Sequence, residues 1–129
     1  MDTIRELWTE FVNKGEASWY HFIAARRGDE ILGFGCYGQR ALTEGTWDFY
    51  WMGVAQNMQG KGIGKLLMEF VKASVKARGG RLLLIETAGK EEFEPTRQFY
   101  LRYPGCELEA RIRDFYAVGD DLYVFTVRL

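Results

Sequence analysis

Apolar positions along this chain switch between helical spacing and strand-like alternation, and the switches mark the elements. Ile4, Leu7, Trp8, Phe11 and Val12 recur at i, i+3, i+4, i+7 and i+8. That spacing predicts an amphipathic helix over residues 2–14, closed by Asn13-Lys14-Gly15 with Gly15 as C-cap. Ser18 to Arg26 is rich in aromatic and β-branched residues and predicts a strand. Gly28-Asp29 reads as a turn and Ile31 to Tyr37 as the returning strand. A third strand is expected from Thr46 to Ala55. Its alternating sets, Asp48/Tyr50/Met52/Val54 and Trp47/Phe49/Trp51, are both largely apolar, so it should be central and covered on both faces.

Helical spacing returns with Ile63, Leu66, Leu67, Phe70, Val71 and Val75 and stops at Gly79-Gly80. Arg81 to Thr87 contains LLLIE, an apolar run suited to a buried strand beside a parallel neighbour. A strand-helix-strand passage of this length is a right-handed crossover unit. Pro95 fits the first turn of a short helix through about Tyr103, closed by Pro104-Gly105. Glu107 to Asp114 and Leu122 to Leu129 are the last strands, with Gly119-Asp120-Asp121 in the turn between them. The expected fold is α/β (α+β): a mixed, mostly antiparallel central sheet with helices on both faces, in a single domain over residues 1–129.

Composition narrows the function classes. Net charge is −1 and no stretch carries a block of one sign, which argues against a nucleic-acid surface. No apolar run is long enough to span a membrane, and the acidic N-terminal stretch is unlike a signal peptide. Cys36 and Cys106 lie far apart without metal-ligand spacing. They fit buried thiols in a reducing cytoplasm, and no Cys/His/acid cluster points to a metal.

The chemistry concentrates in Gln59-Gly60-Lys61-Gly62-Ile63-Gly64-Lys65, where three glycines fall in five residues directly before a helix. Glycine is costly to order, so something there needs bare backbone. A loop feeding a helix from a strand aims several N–H groups at one point, where the positive end of the helix dipole also lies. With Lys61 and Lys65 beside it, the loop suits a phosphate or pyrophosphate. The triphosphatase loop is excluded because Leu66 follows Gly64-Lys65, and the dinucleotide fingerprint by its glycine spacing. The structural alternative is a glycine turn that only packs helix on sheet.

These residues resemble the GNAT N-acetyltransferase superfamily. Gln59 to Gly64 matches Q/R-x-x-G-x-G/A, that family's acetyl-CoA pyrophosphate loop. Met52-Gly53-Val54 resembles the end of its splayed fourth strand, and Phe99-Tyr100 followed by Tyr103-Pro104-Gly105-Cys106 resembles its FY-x-x-x-GF segment. The tail from Ala110 to Asp121 is similar to a bacterial subgroup ending DFY-x-x-GDD. The chain departs from the pattern in offering one N-terminal helix, in carrying Phe93 where many members have Asn, and in its inserted Pro104.

The resemblance implies the GNAT acyl-CoA N-acyltransferase fold and acetyl transfer from acetyl-CoA to a primary amine of a small molecule or peptide. It implies that the Met52-Gly53-Val54 backbone holds the pantetheine and polarises the thioester carbonyl. It further implies that Gln59, Gly60, Lys61, Gly62, Ile63, Gly64 and Lys65 hold the pyrophosphate, and that Tyr100 protonates the leaving sulfur. For the base, Asp48 stands eleven residues before Gln59, where some members carry a catalytic Glu, on the strand face of Tyr50 and Val54. Glu86 is the other candidate, because burial in LLLIET would make it more basic. Either carboxylate could instead be structural, and Tyr100 a core residue. His21, the only histidine, reads as structural. A non-catalytic acyl-CoA-binding module is the alternative, and a homodimer would cover a sheet edge or face.

Overall fold

The computed structural model describes residues 6–13 and 19–129. The chain runs through β1 (Glu6–Asn13), β2 (Trp19–Arg27), β3 (Glu30–Gln39), β4 (Thr46–Val54), α1 (Ile63–Ala77), β5 (Leu82–Ala88), α2 (Glu94–Arg102), β6 (Cys106–Ala117) and β7 (Asp120–Arg128). The strands form one seven-stranded sheet in the order β1-β2-β3-β4-β5-β7-β6. Every neighbouring pair is antiparallel except β4 with β5, which the α1 crossover joins in parallel. This is the mixed, mostly antiparallel α+β fold expected. No helix among the described residues is long and apolar enough to cross a membrane.

The N-terminal expectation is overturned. Residues 6–13 form a strand, not part of a helix over 2–14, and pair with β2 from Glu6↔Arg26 to Asn13↔Trp19. Trp8, Thr9, Phe11 and Val12 favour extended backbone, and the exposed edge of β2 offers it a ladder of hydrogen bonds, so tertiary pairing overrides the helical spacing. Residues 2–5, the Gly15 cap and Ser18 lie outside the described residues. At the other end, Asp120 and Asp121 begin β7 instead of lying in the turn.

Both helices pack on the same face of the sheet. The Tyr37 hydroxyl hydrogen-bonds Ser74 of α1 at 2.8 Å, and Tyr37 stands opposite Phe49. Phe49 is aligned with Ile85, Ile85 with Phe125, and the Phe125 ring packs on Tyr100 of α2. On that face α1 buries Ile63, Leu67, Met68, Val71 and Val75 almost completely. Each such side chain contributes about 1.5–3 kcal/mol. The helix expected on the opposite face is absent there because its residues 6–13 extend the sheet instead.

Strand β4 changes its sidedness midway. Tyr37 pairs with Phe49 and Cys36 with Trp51, so Tyr50 is one extra residue, a β-bulge. Before it, Trp47 and Phe49 join the core under the helices. After it, Met52 and Val54 take over that side, while Trp51 turns to the opposite face against Phe22 and Phe34. The strand is therefore covered on one face only along this stretch: Tyr50 and Trp51 are 40% and 45% exposed.

Candidate active site

The parallel pair opens like a fork. Strands β4 and β5 are paired only from Thr46↔Leu82 to Phe49↔Ile85. Beyond that point, β4 from Tyr50 to Val54 and β5 from Glu86 to Ala88 diverge. On that side, the β4 peptide groups have no strand partner among the described residues and can serve a ligand.

The glycine loop lies at the end of the β4 prong. Gly60 and Gly62 have φ of 78° and 88°, a left-handed conformation that side-chain-bearing residues rarely adopt, and open space lies where each Cβ would project. Gly62 is the N-cap of α1. The first closed helical bond runs from Leu66 N–H to Gly62 O at 3.0 Å. The amides of Ile63, Gly64 and Lys65 are thus left without an intrahelical acceptor. No acidic residue occupies the first turn of α1 to compete for them. Gln59 Nε2 donates to Val54 O at 3.4 Å and ties loop to strand end. Gly64 is bare for a different reason, since a Cβ there would meet the Phe99 ring at 3.2 Å.

Loop, strand end and α2 enclose a cavity of about 440 Å³. Of the ten residues expected here, nine line it, and Lys61 does not. Met58, Pro95, Thr96 and Phe99 complete the wall. The family motif passes over these four, because an apolar wall carries no spacing of its own. Open backbone amides at a helix N-terminus, with Lys65 beside them and an apolar wall of α2, fit a long ligand carrying a pyrophosphate at one end.

The two candidate bases lie on the face opposite the helices. Asp48 is 6% exposed. Arg40 grips both its oxygens, Nε to Oδ2 at 2.9 Å and Nη2 to Oδ1 at 2.6 Å. This fork of hydrogen bonds, helped by the charge of Asp48, raises the Arg40 pKa above its ordinary value. The same Nη2 stands 4.0 Å from Glu86 Oε2. Two expectations change here. The Tyr50 bulge takes Val54 off the Asp48 face, so no relay runs straight along the strand between them. Glu86 is not buried: it follows the last β4–β5 pair, and its side chain is 45% exposed. Arg40 went unrecognised in the sequence because its partner Asp48 is eight residues on, across a loop, with no motif linking them.

Tyr100 is in the core, 3% exposed, with its ring against Phe99 and Phe125. Burial above all, with a smaller contribution from Cys106, pushes its phenol well above the usual range. It does not line the cavity, where α2 presents Thr96 and Phe99 instead. Phe93 precedes α2 and is 39% exposed. His21 stacks on Tyr37 and packs against Trp47; burial first, then Arg78, lowers its pKa. Cys36 is buried. Burial, with a lesser effect of Glu107, pushes the Cys106 thiol up to about 11.

The model of the GNAT acetyltransferase domain matches residues 18–103. No curated protein matches the chain. Among solved structures, a GNAT-family acetyltransferase from Desulfovibrio desulfuricans is 42% identical, with 84% of this chain and 68% of that chain covered and a TM-score of 0.80. A GNAT acetyltransferase from Elizabethkingia anophelis with acetyl-CoA bound shares the fold at 16% identity and TM-score 0.73, covering 95% of this chain and 98% of its own. A Bacillus subtilis acetyltransferase in complex with CoA does so at 17% identity and TM-score 0.74, covering 96% and 99%.

Proposed function

The chain belongs to the GNAT acetyltransferase family, and on that premise we propose that it moves an acetyl group from acetyl-CoA to a primary amine of a small molecule. The carrying observation is the cradle, where left-handed Gly60 and Gly62 leave the α1 amides open beside an unpaired strand end. Acetyl-CoA, when bound, supplies a thioester carbonyl open to a nucleophile. The amides of Gly60 to Lys65 and the Lys65 ammonium hold its pyrophosphate. The free peptide groups of Met52-Gly53-Val54 hold the pantetheine arm and offer an N–H to the carbonyl.

Glu86 is the base in this reading. Both Asp48 oxygens are engaged by Arg40, whereas the Glu86 carboxylate is accessible at the fork. Glu86 takes a proton from the acceptor ammonium, directly or through water. The nitrogen then attacks; a C–N bond forms, the C–S bond breaks, and the departing thiolate takes a proton. Tyr100 supplies that proton, and its burial keeps it protonated throughout the neutral range. Arg40 and Asp48 hold the floor beneath Glu86.

One observation favours a second reading, a non-catalytic acyl-CoA-binding module: Tyr100 packs in the core and does not line the cavity. Two measurements separate the readings. Acetyl-CoA at a hundred times its dissociation constant should stabilise the protein by about 2.7 kcal/mol, roughly 8–13 °C in Tm. No shift would overturn both readings. Thiol release across a panel of primary amines should then show turnover, and Tyr100→Phe should lower turnover far more than acetyl-CoA affinity. A Tm shift without turnover on any amine leaves the binding module.

A further inference from the structure

Two aspartates stand side by side at the start of β7, and the fold uses them differently. Asp121 has a complete set of partners. Its Oδ1 accepts the Asp114 backbone N–H at 3.0 Å and its Oδ2 the Arg111 guanidinium at 2.7 Å. These bonds hold its carboxyl below the ordinary range. Asp120 is just as deeply placed, 8% exposed, yet among the described residues no donor reaches its buried Oδ1. Lys90 Nζ stands 4.0 Å from its Oδ2, on a side chain 58% exposed to solvent. A buried acceptor without a donor is costly, and such groups persist where a ligand completes them.

The position of Asp120 suits a ligand of the fork. Along β7, Val124 pairs with Glu86 and Leu122 with Ala88. Asp120 is the next position on that face, about 13 Å along the strand from the Glu86 row at 3.3 Å per residue. Tyr116 of β6 stands within the influence of both acids: burial first, then Glu86 and Asp120, raise its phenol. A carboxylate pair so spaced along one face, with a half-exposed tyrosine beside it, suits an elongated dication.

We propose that Asp120 anchors a second cationic nitrogen of the acceptor, so that the preferred acceptor is an aliphatic diamine or polyamine and not a monoamine. This rests on the reading of the fork as an acetyl-transfer site. One nitrogen loses its proton to Glu86 and reacts. The other stays protonated, donates to Asp120 and takes the place of the Lys90 ammonium.

The test compares 1,5-diaminopentane with pentylamine on the wild-type protein, Asp120→Asn and Lys90→Ala. The wild type should favour the diamine by about tenfold in kcat/KM, the scale of one charge-assisted hydrogen bond to a desolvated carboxylate. Asp120→Asn should erase that preference, and Lys90→Ala, which removes the competing cation, should widen it. A purely structural Asp120 would give equal losses for both amines and no gain from Lys90→Ala, which overturns the subsite. Calorimetry with the diamine alone separates this from the transfer reading. Asp120-dependent binding without any turnover supports the subsite and overturns transfer. Equal turnover of both amines overturns the subsite and keeps transfer.

Discussion

The two faces of the β4–β5 fork are built from different materials. On the helix side the ligand-ready groups are backbone amides, held by two left-handed glycines and a helix start. On the other side they are carboxylates from β4, β5 and β7, held by Arg40 and strand register. A backbone site is fixed by local conformation, so one residue can ruin it. A side-chain site is fixed by long-range packing, so its members can differ in role while sharing a face. Donor recognition and acceptor recognition should therefore fail independently.

The largest expected effect is at the cradle. Gly62→Asp places a side chain at a φ of 88° and a negative charge among the amides, and should abolish acetyl-CoA binding by calorimetry while the apo protein still melts cooperatively. Retained affinity would mean that the loop only packs helix on sheet.

Next comes the opposite face. Glu86→Gln should lower kcat/KM by about 10²–10⁴ with acetyl-CoA affinity unchanged. If a folded Asp48→Asn variant lost more turnover than Glu86→Gln, the base role would pass to Asp48. The expected loss for Asp48→Asn is instead in stability. It removes a charged partner from Arg40, whose side chain is 43% exposed. About 1–2 kcal/mol is anticipated in urea unfolding, since that exposure screens the pair.

The smallest effect separates the core under the helices from the titrating face. Burial lowers the His21 pKa from 6.5, so the folded state binds this proton less readily than the unfolded chain. Its contribution to stability is complete above pH 6.5 and fades as pH falls below that value. The Tm should drop between pH 7 and pH 5.5, and His21→Gln should flatten part of that slope. An unchanged slope would take His21 out of the titration.

Legibility in the sequence follows the same division. Helix α1, strand β5 and helix α2 were readable because their apolar spacing is local and Gly79-Gly80 and Pro104-Gly105 close it. The glycine loop was readable because glycine carries its backbone requirement in its identity. The N-terminal stretch was misread: Leu7, Trp8, Phe11 and Val12 satisfy helical spacing within a segment short enough to be a strand, and only pairing with β2 decides between them. The Tyr50 bulge left no mark, because tyrosine suits a regular strand equally well. Arg40 and Asp48 meet across a loop, which composition cannot foresee. Asp120 and Asp121 are identical in sequence and differ only in which donors reach them.

The Tyr50 bulge has a consequence for how the chain tolerates change. A strand keeps its sides by counting in twos, and the extra residue at 50 shifts that count once. Everything upstream keeps the old parity and everything downstream, through Val54, inherits the new one. Loss of a single codon at position 50 would therefore leave every other residue unaltered and still turn Met52 and Val54 outward and Trp51 inward. The damage would surface at the far tip of the prong, in a cavity that position 50 does not itself line.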